Sequence, residues 1–171
     1  MSAFEGREHL VCLSGWCGRC DHECVPANTV SWPEVAARLA AARSYWLSTT
    51  SPSGAPHVAP VWGVVISDVL YLYSERRTRK ARNLAADPRL VVHLESADDV
   101  VIVRGIAEDL GPPAQVPEVV AGLPAKYSSE ADRPYLPDAD PGFDIVYAIR
   151  PQSAMMWRLP DYEGSQRRWT P

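Results

Sequence analysis

The chain has 171 residues, 46% of them hydrophobic and 22% charged, the balance of one globular domain rather than of a disordered or low-complexity protein. Its net charge of −4 lacks the broad excess of Lys and Arg that nucleic-acid binding requires. No apolar run approaches the roughly 18 residues that span a bilayer. The start, MSAFEGREHLVCLSG, has neither the basic nor the apolar region of a secretory leader, so the expected compartment is the cytoplasm, with no membrane partner.

Residues 1–30 differ from the rest and read as a Cys-rich N-terminal extension. All four cysteines lie there, as Cys12-x4-Cys17-x2-Cys20-x3-Cys24, with His9 and His22 beside them. Four soft ligands so close together could wrap a tetrahedral zinc. The first spacings also match plant-type iron–sulfur proteins, but that pattern needs a distant fourth cysteine, and none follows Cys24. The plainer reading is an extension with no ligand at all.

Residues 31–171 read as one domain. Ser31-Trp32-Pro33-Glu34 is a capping box, and the apolar spacing after it predicts a helix over 32–43. The period then changes to two. Strands are expected over 45–50 and 57–66, joined by Ser51-Pro52-Ser53-Gly54, and over 69–74 after a tight turn at Ser67-Asp68. A helix over 79–86, stopped by Asp87-Pro88, leads to strands over 89–95 and 100–109, the second bent at Gly105. A weaker helix over 116–127 and a Pro- and Asp-rich loop over 130–142 precede strands over 143–150 and 153–159 and the aromatic, basic tail SQRRWTP. Six or seven short strands that meander through tight turns, with helices at the periphery, predict a mainly β fold and an antiparallel barrel.

Charge is concentrated in residues 74–82, where Arg76, Arg77, Arg79, Lys80 and Arg82 face one acid, Glu75, a local net of +4. Thr78 is a natural N-cap, so the free N–H groups of the helix start would stand beside Arg79 and Lys80. Cations in a first helical turn oppose the helix dipole, an arrangement that makes sense if an anion such as phosphate neutralises both. The alternative is an ordinary solvated basic face. Elsewhere, His57 and His93 read as structural strand residues. Ser48 and Ser51 have no paired His and acid, and no carboxylate pair suggests glycoside chemistry.

The span APHVAPVWGVVISDVLYLYSERRTRKARNLAADPRLVVHLES resembles the pyridoxamine 5′-phosphate oxidase-like family of split β-barrel flavoproteins, especially the branch that uses the deazaflavin coenzyme F-420. The likeness rests on Pro60-Val61-Trp62, Tyr71-Leu72-Tyr73-Ser74, Arg79-Lys80, Asn83-Leu84 and Asp87-Pro88-Arg89, over about residues 32–110, with the Arg168-Trp169 ending a looser match. It implies an FMN-binding-type split barrel, homodimeric, with cofactor at the subunit interface. Thr78, Arg79 and Lys80 would hold the phosphate, and Pro60, Val61 and Trp62 would lie along the ring. Ser74 and Asn83 would also contact the cofactor, and Arg168 and Trp169 of the second copy would close the pocket. Lys126-Tyr127 is placed by the same resemblance at the substrate mouth.

The FMN-dependent oxidases of the family carry an Arg and, five residues later, a Lys on the second strand; those positions hold His57 and Trp62 here. The row of five cations instead suits the phosphodiester and polyglutamate tail of F-420. The expected function is therefore F-420-dependent hydride transfer to a small unsaturated substrate, with no residue marked as an obligate acid or base. An FMN-dependent oxidase or reductase, and a flavin- or haem-binding carrier with little turnover, are the alternatives.

Overall fold

A computed structural model describes residues 28–171. The four cysteines, and the zinc site suggested for them, lie outside the described residues. Helix α1 spans Trp32–Ala41 and starts at the predicted box: the Ser31 N–H and hydroxyl both donate to the Glu34 carboxylate, at 3.0 and 2.7 Å. Its Val35 and Leu39 are fully buried. Strand β1 (Tyr45–Thr50) turns through Gly54, held at a left-handed φ of 83°, into β2 (Pro56–Val61).

A single strand was expected over 57–66; there are two. The chain breaks at Trp62 and resumes as β3 (Gly63–Ile66), because the two halves pair with different neighbours: Val61 opposes Tyr45 of β1, whereas Gly63 opposes Leu72 of β4 (Val69–Ser74). Only glycine fits at 63, since a Cβ there would collide with the Tyr71 carbonyl oxygen. Ser67 and Asp68 make the predicted tight turn, both at positive φ.

Helix α2 (Arg79–Ala86) is followed by β5 (Arg89–His93) and β6 (Asp99–Asp109). Helix α3 spans Pro117–Lys126. The two strands expected at the end are one, β7 (Ile145–Arg158). Proline is tolerated inside it because Gly105 opposes Pro151 while Arg104 opposes Ser153, leaving Gln152 as the extra residue of a bulge where no ladder bond is required. A one-turn helix, α4 (Tyr162–Ser165), leads to a short final strand, β8 (Arg167–Trp169), on β7.

The eight strands of the described residues form one antiparallel sheet in the order β2-β1-β5-β6-β7-β4-β3, with β8 beside β7. Its two end strands are consecutive in the chain and joined by Trp62 alone, so the sheet must curl into a split barrel. Leu47, Leu72, Val92, Val103 and Ile149 fill the interior, closed by Leu39 of α1 and Leu84 of α2. A second cluster lies where Val119 and Leu123 of α3 cover Val64 and Val146. Among the described residues, no helix is long and apolar enough to cross a membrane.

Candidate functional site

Where β2 ends, β4 ends and α2 begins, a cleft of about 340 Å³ opens, within the size range of small-molecule sites. Pro60, Val61 and Trp62 form one wall; Tyr73, Ser74 and Glu75 form the floor and rim. Thr78 and Lys80 enter from the α2 start, and Tyr135 and Phe143 from the loop before β7.

The polar end is built locally. Thr78 Oγ1 donates to the Glu75 carbonyl at 2.8 Å, lies 3.2 Å from Ser74 Oγ, and accepts from the Ala81 N–H, so it caps α2. Lys80 lines the cleft, and its ammonium makes no hydrogen bond or ion pair among the described residues. Burial pulls its pKa below the ordinary lysine value, and the Glu75 carboxylate partly offsets that. A desolvated cation without a close partner is a receptor for an anion.

The row of five free cations expected here is not what the fold provides. Arg76 reaches across to β6 and grips Asp109 with both ends of its fork, at 2.9 and 3.1 Å. Arg77 pairs with Glu75, and Arg82 donates to the Arg77 carbonyl at 2.6 Å. Arg79 is exposed, outside the cleft lining, and with Lys80 it is left without such a partner among the described residues.

The expected site residues thus separate into groups. Pro60, Val61, Trp62, Ser74, Thr78 and Lys80 meet at one cleft, and Arg79 flanks it. Asn83 is buried under α2 and donates to Thr49 Oγ1 of β1 at 2.9 Å, clamping the helix to the sheet. Arg168 and Trp169 do not line the cleft: the Arg168 backbone pairs with residues 28 and 30, and Trp169 packs on Trp32 with ring centroids 4.8 Å apart. His57 Nδ1 is enclosed with no hydrogen-bond partner among the described residues.

Lys126 and Tyr127 serve the barrel seam. Lys126 Nζ donates to Tyr45 Oη at 2.7 Å and to the Gly63 carbonyl at 2.9 Å, and burial lowers its pKa to about 8. Tyr127 Oη accepts from the Gly63 N–H at 2.9 Å, and its ring stacks on Trp62 at 4.3 Å and 5°. Together they hold the residue after the strand break, and so the cleft wall.

Sequence reasoning missed Tyr73, Glu75, Tyr135 and Phe143. Tyr73 Oη donates to the Tyr135 carbonyl at 2.8 Å, and its ring meets Phe143 edge-on at 5.0 Å, which pins the loop over the cleft. Tyr135, an aromatic in an otherwise Pro- and Asp-rich loop, was the available signal; Phe143, expected to open a strand, instead precedes β7. Among the described residues, no group of His, Cys, Asp and Glu is placed to hold a metal ion.

Solved structures with this fold include a conserved hypothetical protein of Mycobacterium tuberculosis, 24% identical, covering 78% of this chain and 88% of its own, with a TM-score of 0.64. A heme binding protein of Mycobacterium smegmatis is 21% identical, covering 82% and 58%, with a TM-score of 0.63. A structure named F420 reductase is 24% identical, covering 68% and 93%, with a TM-score of 0.55. No curated protein matches the chain. The pattern described as pyridoxamine 5′-phosphate oxidase matches residues 31–157, the span that holds every wall of the cleft, and the chain therefore belongs to that family.

Proposed function

We propose that this protein is a homodimeric oxidoreductase that holds the deazaflavin coenzyme F-420 and transfers hydride between it and a small unsaturated substrate. The observation that carries this reading is Lys80, a half-buried ammonium with no close partner among the described residues, set beside two hydroxyls and a helix start at the polar end of an otherwise apolar cleft. When bound, the coenzyme supplies the redox chemistry. Lys80, Thr78 and the α2 start bind its phosphate; Ser74 lies at the same end. Strand β2 ends one side of the sheet order, so its outward backbone groups are open to the polar edge of a ring, and Trp62 gives that ring a flat wall. Tyr135 and Phe143 exclude water.

The face of β1 and β2 that carries Trp46 and Val58 leaves them at 37% and 52% exposure. The family resemblance gives the closing of the cleft to Arg168 and Trp169 of a second copy, and this face is the one we assign to its docking. His57 and Trp62, in place of the Arg and Lys of FMN-dependent relatives, favour the deazaflavin over FMN. A haem carrier is the reading suggested by the heme-binding relative, but the cleft lining contains no His, Cys or Met, and of its two tyrosines Tyr73 already donates its hydroxyl to the Tyr135 carbonyl.

Titration of the protein with F-420, FMN and haem, followed by fluorescence and visible absorption, tests the reading. Micromolar binding of F-420, with FMN far weaker and no haem, is expected; preference for either of the others overturns it. Lys80→Ala weakens F-420 binding by about 1.5–3 kcal/mol, the range for a charge-assisted contact. Unchanged affinity removes the anion site.

A further inference from the structure

Glu75 is a carboxylate in the lining of a cleft read above as an anion site. Such a group works against the ligand unless it serves discrimination. The lining holds two formal charges, Lys80 and Glu75, which sum to zero. Around them, Arg77 neutralises Glu75 from the rim, its own field reduced by Asp140 and Asp144, while Arg79 stands exposed at the helix start. Arg76 is neutralised by Asp109 and adds nothing. The hydroxyls of Thr78 and Ser74 and the fractional positive charge of the α2 start complete the surroundings.

This balance favours one negative charge and resists two. A phosphodiester carries one at neutral pH; a phosphomonoester, with a second pKa near 6, carries close to two. We infer that Glu75 is a specificity-determining residue, which sets the cleft to accept singly charged phosphodiesters and to reject doubly charged phosphomonoesters. The inference rests on the reading of the cleft as a cofactor phosphate site, and it assigns the choice between deazaflavin and FMN to a residue rather than to a count of cations. The discrimination is electrostatic: the second charge of a monoester meets a carboxylate lining the same partly desolvated cleft, where like charges repel far more than in water.

The test compares three probes on the full chain: F-420 as diester, FMN as monoester, and riboflavin, which has the same ring as FMN and no phosphate. Glu75→Gln raises FMN affinity at pH 7.5 by about five- to ten-fold, the size of a like-charge contact relieved at a partly exposed site. Riboflavin affinity stays within about two-fold, and F-420 gains less than FMN. In the wild-type protein FMN binds more tightly as pH falls from 7.5 to 5.5 and the phosphate takes up its second proton; Glu75→Gln flattens that dependence. Arg77→Gln, which exposes the Glu75 charge, shifts FMN in the opposite direction. A change confined to general packing would move riboflavin as much as FMN and leave the pH profile intact. If F-420 binds and depends on Lys80, yet Glu75→Gln leaves the FMN-to-riboflavin ratio unchanged, the inference fails and the proposed function stands. If none of the three binds, the proposed function fails and the inference with it.

Discussion

The starts of α1 and α2 solve the same problem in different ways. Each helix leaves its first N–H groups without intrahelical partners. At α1 the chain answers itself: Ser31 and Glu34 form a closed box, and the acid in the first turn complements the helix dipole. At α2 only the Thr78 cap is present; the first turn carries Arg79 and Lys80 and no acid. One start is complete without a ligand. The other is held in an electrostatically unfavourable state, the pattern of a site that trades local stability for binding.

If α2 is strained at its start, something else must fix it to the barrel. That is the contact between Asn83 Nδ2 and Thr49 Oγ1, both side chains buried. Asn83→Ala leaves a buried hydroxyl without its donor and costs about 1–3 kcal/mol of stability, read by chemical denaturation. A loss below about 0.5 kcal/mol would mean that Leu84 packing alone secures the helix. Cofactor affinity falls with it, because Thr78 and Lys80 ride on the same helix.

Ser31→Ala breaks the complete start, and the expected loss is about 1 kcal/mol with no effect on cofactor binding. It also carries a pH signature. The Ser31 side-chain and backbone bonds hold the Glu34 carboxyl below its ordinary pKa of 4.5. A depressed carboxyl stabilises the fold above its unfolded pKa, and that contribution is lost as pH falls through the lower folded value. Stability measured from pH 5 downward therefore falls less steeply in Ser31→Ala than in the wild type. An unchanged acid limb would show that the box contributes nothing through Glu34.

Much of this contrast was readable from residue order. A capping box, an N-cap threonine and a run of cations are local, and local chemistry survives folding. So did the alternating strands and the bend at Gly105. What residue order concealed depends on partners far along the chain. The break at Trp62 interrupts a continuous alternating run, and only the pairing of Val61 with Tyr45 and of Gly63 with Leu72 reveals it. Arg76 looked free because Asp109 is 33 residues away. Pro151 looked like a strand end because its bulge partner, Gly105, lies on β6. Tyr135 lies in a stretch without period and Phe143 at an expected strand start, and their contacts with Tyr73 and Trp62 at the cleft join residues far apart in the chain.

The smallest expected effect separates the two helix starts most sharply. Arg79 is exposed and makes no ion pair among the described residues, so reversing its charge disturbs no packing. Arg79→Glu gives α2 the first-turn acid that α1 already has, and the free protein gains about 0.3–1 kcal/mol from the improved dipole. The same change sets a negative charge beside Lys80 and Thr78, and F-420 affinity falls. Opposite signs in stability and affinity, measured by thermal melting without ligand and by fluorescence titration, are the mark of a helix start kept cationic for a ligand. The stability gain shrinks in 0.5 M salt, where the Debye length is only a few ångströms. Should Arg79→Glu destabilise the free protein, the basic turn would be part of the fold's own electrostatics, and the difference between the two helix starts would have to be explained without an anion.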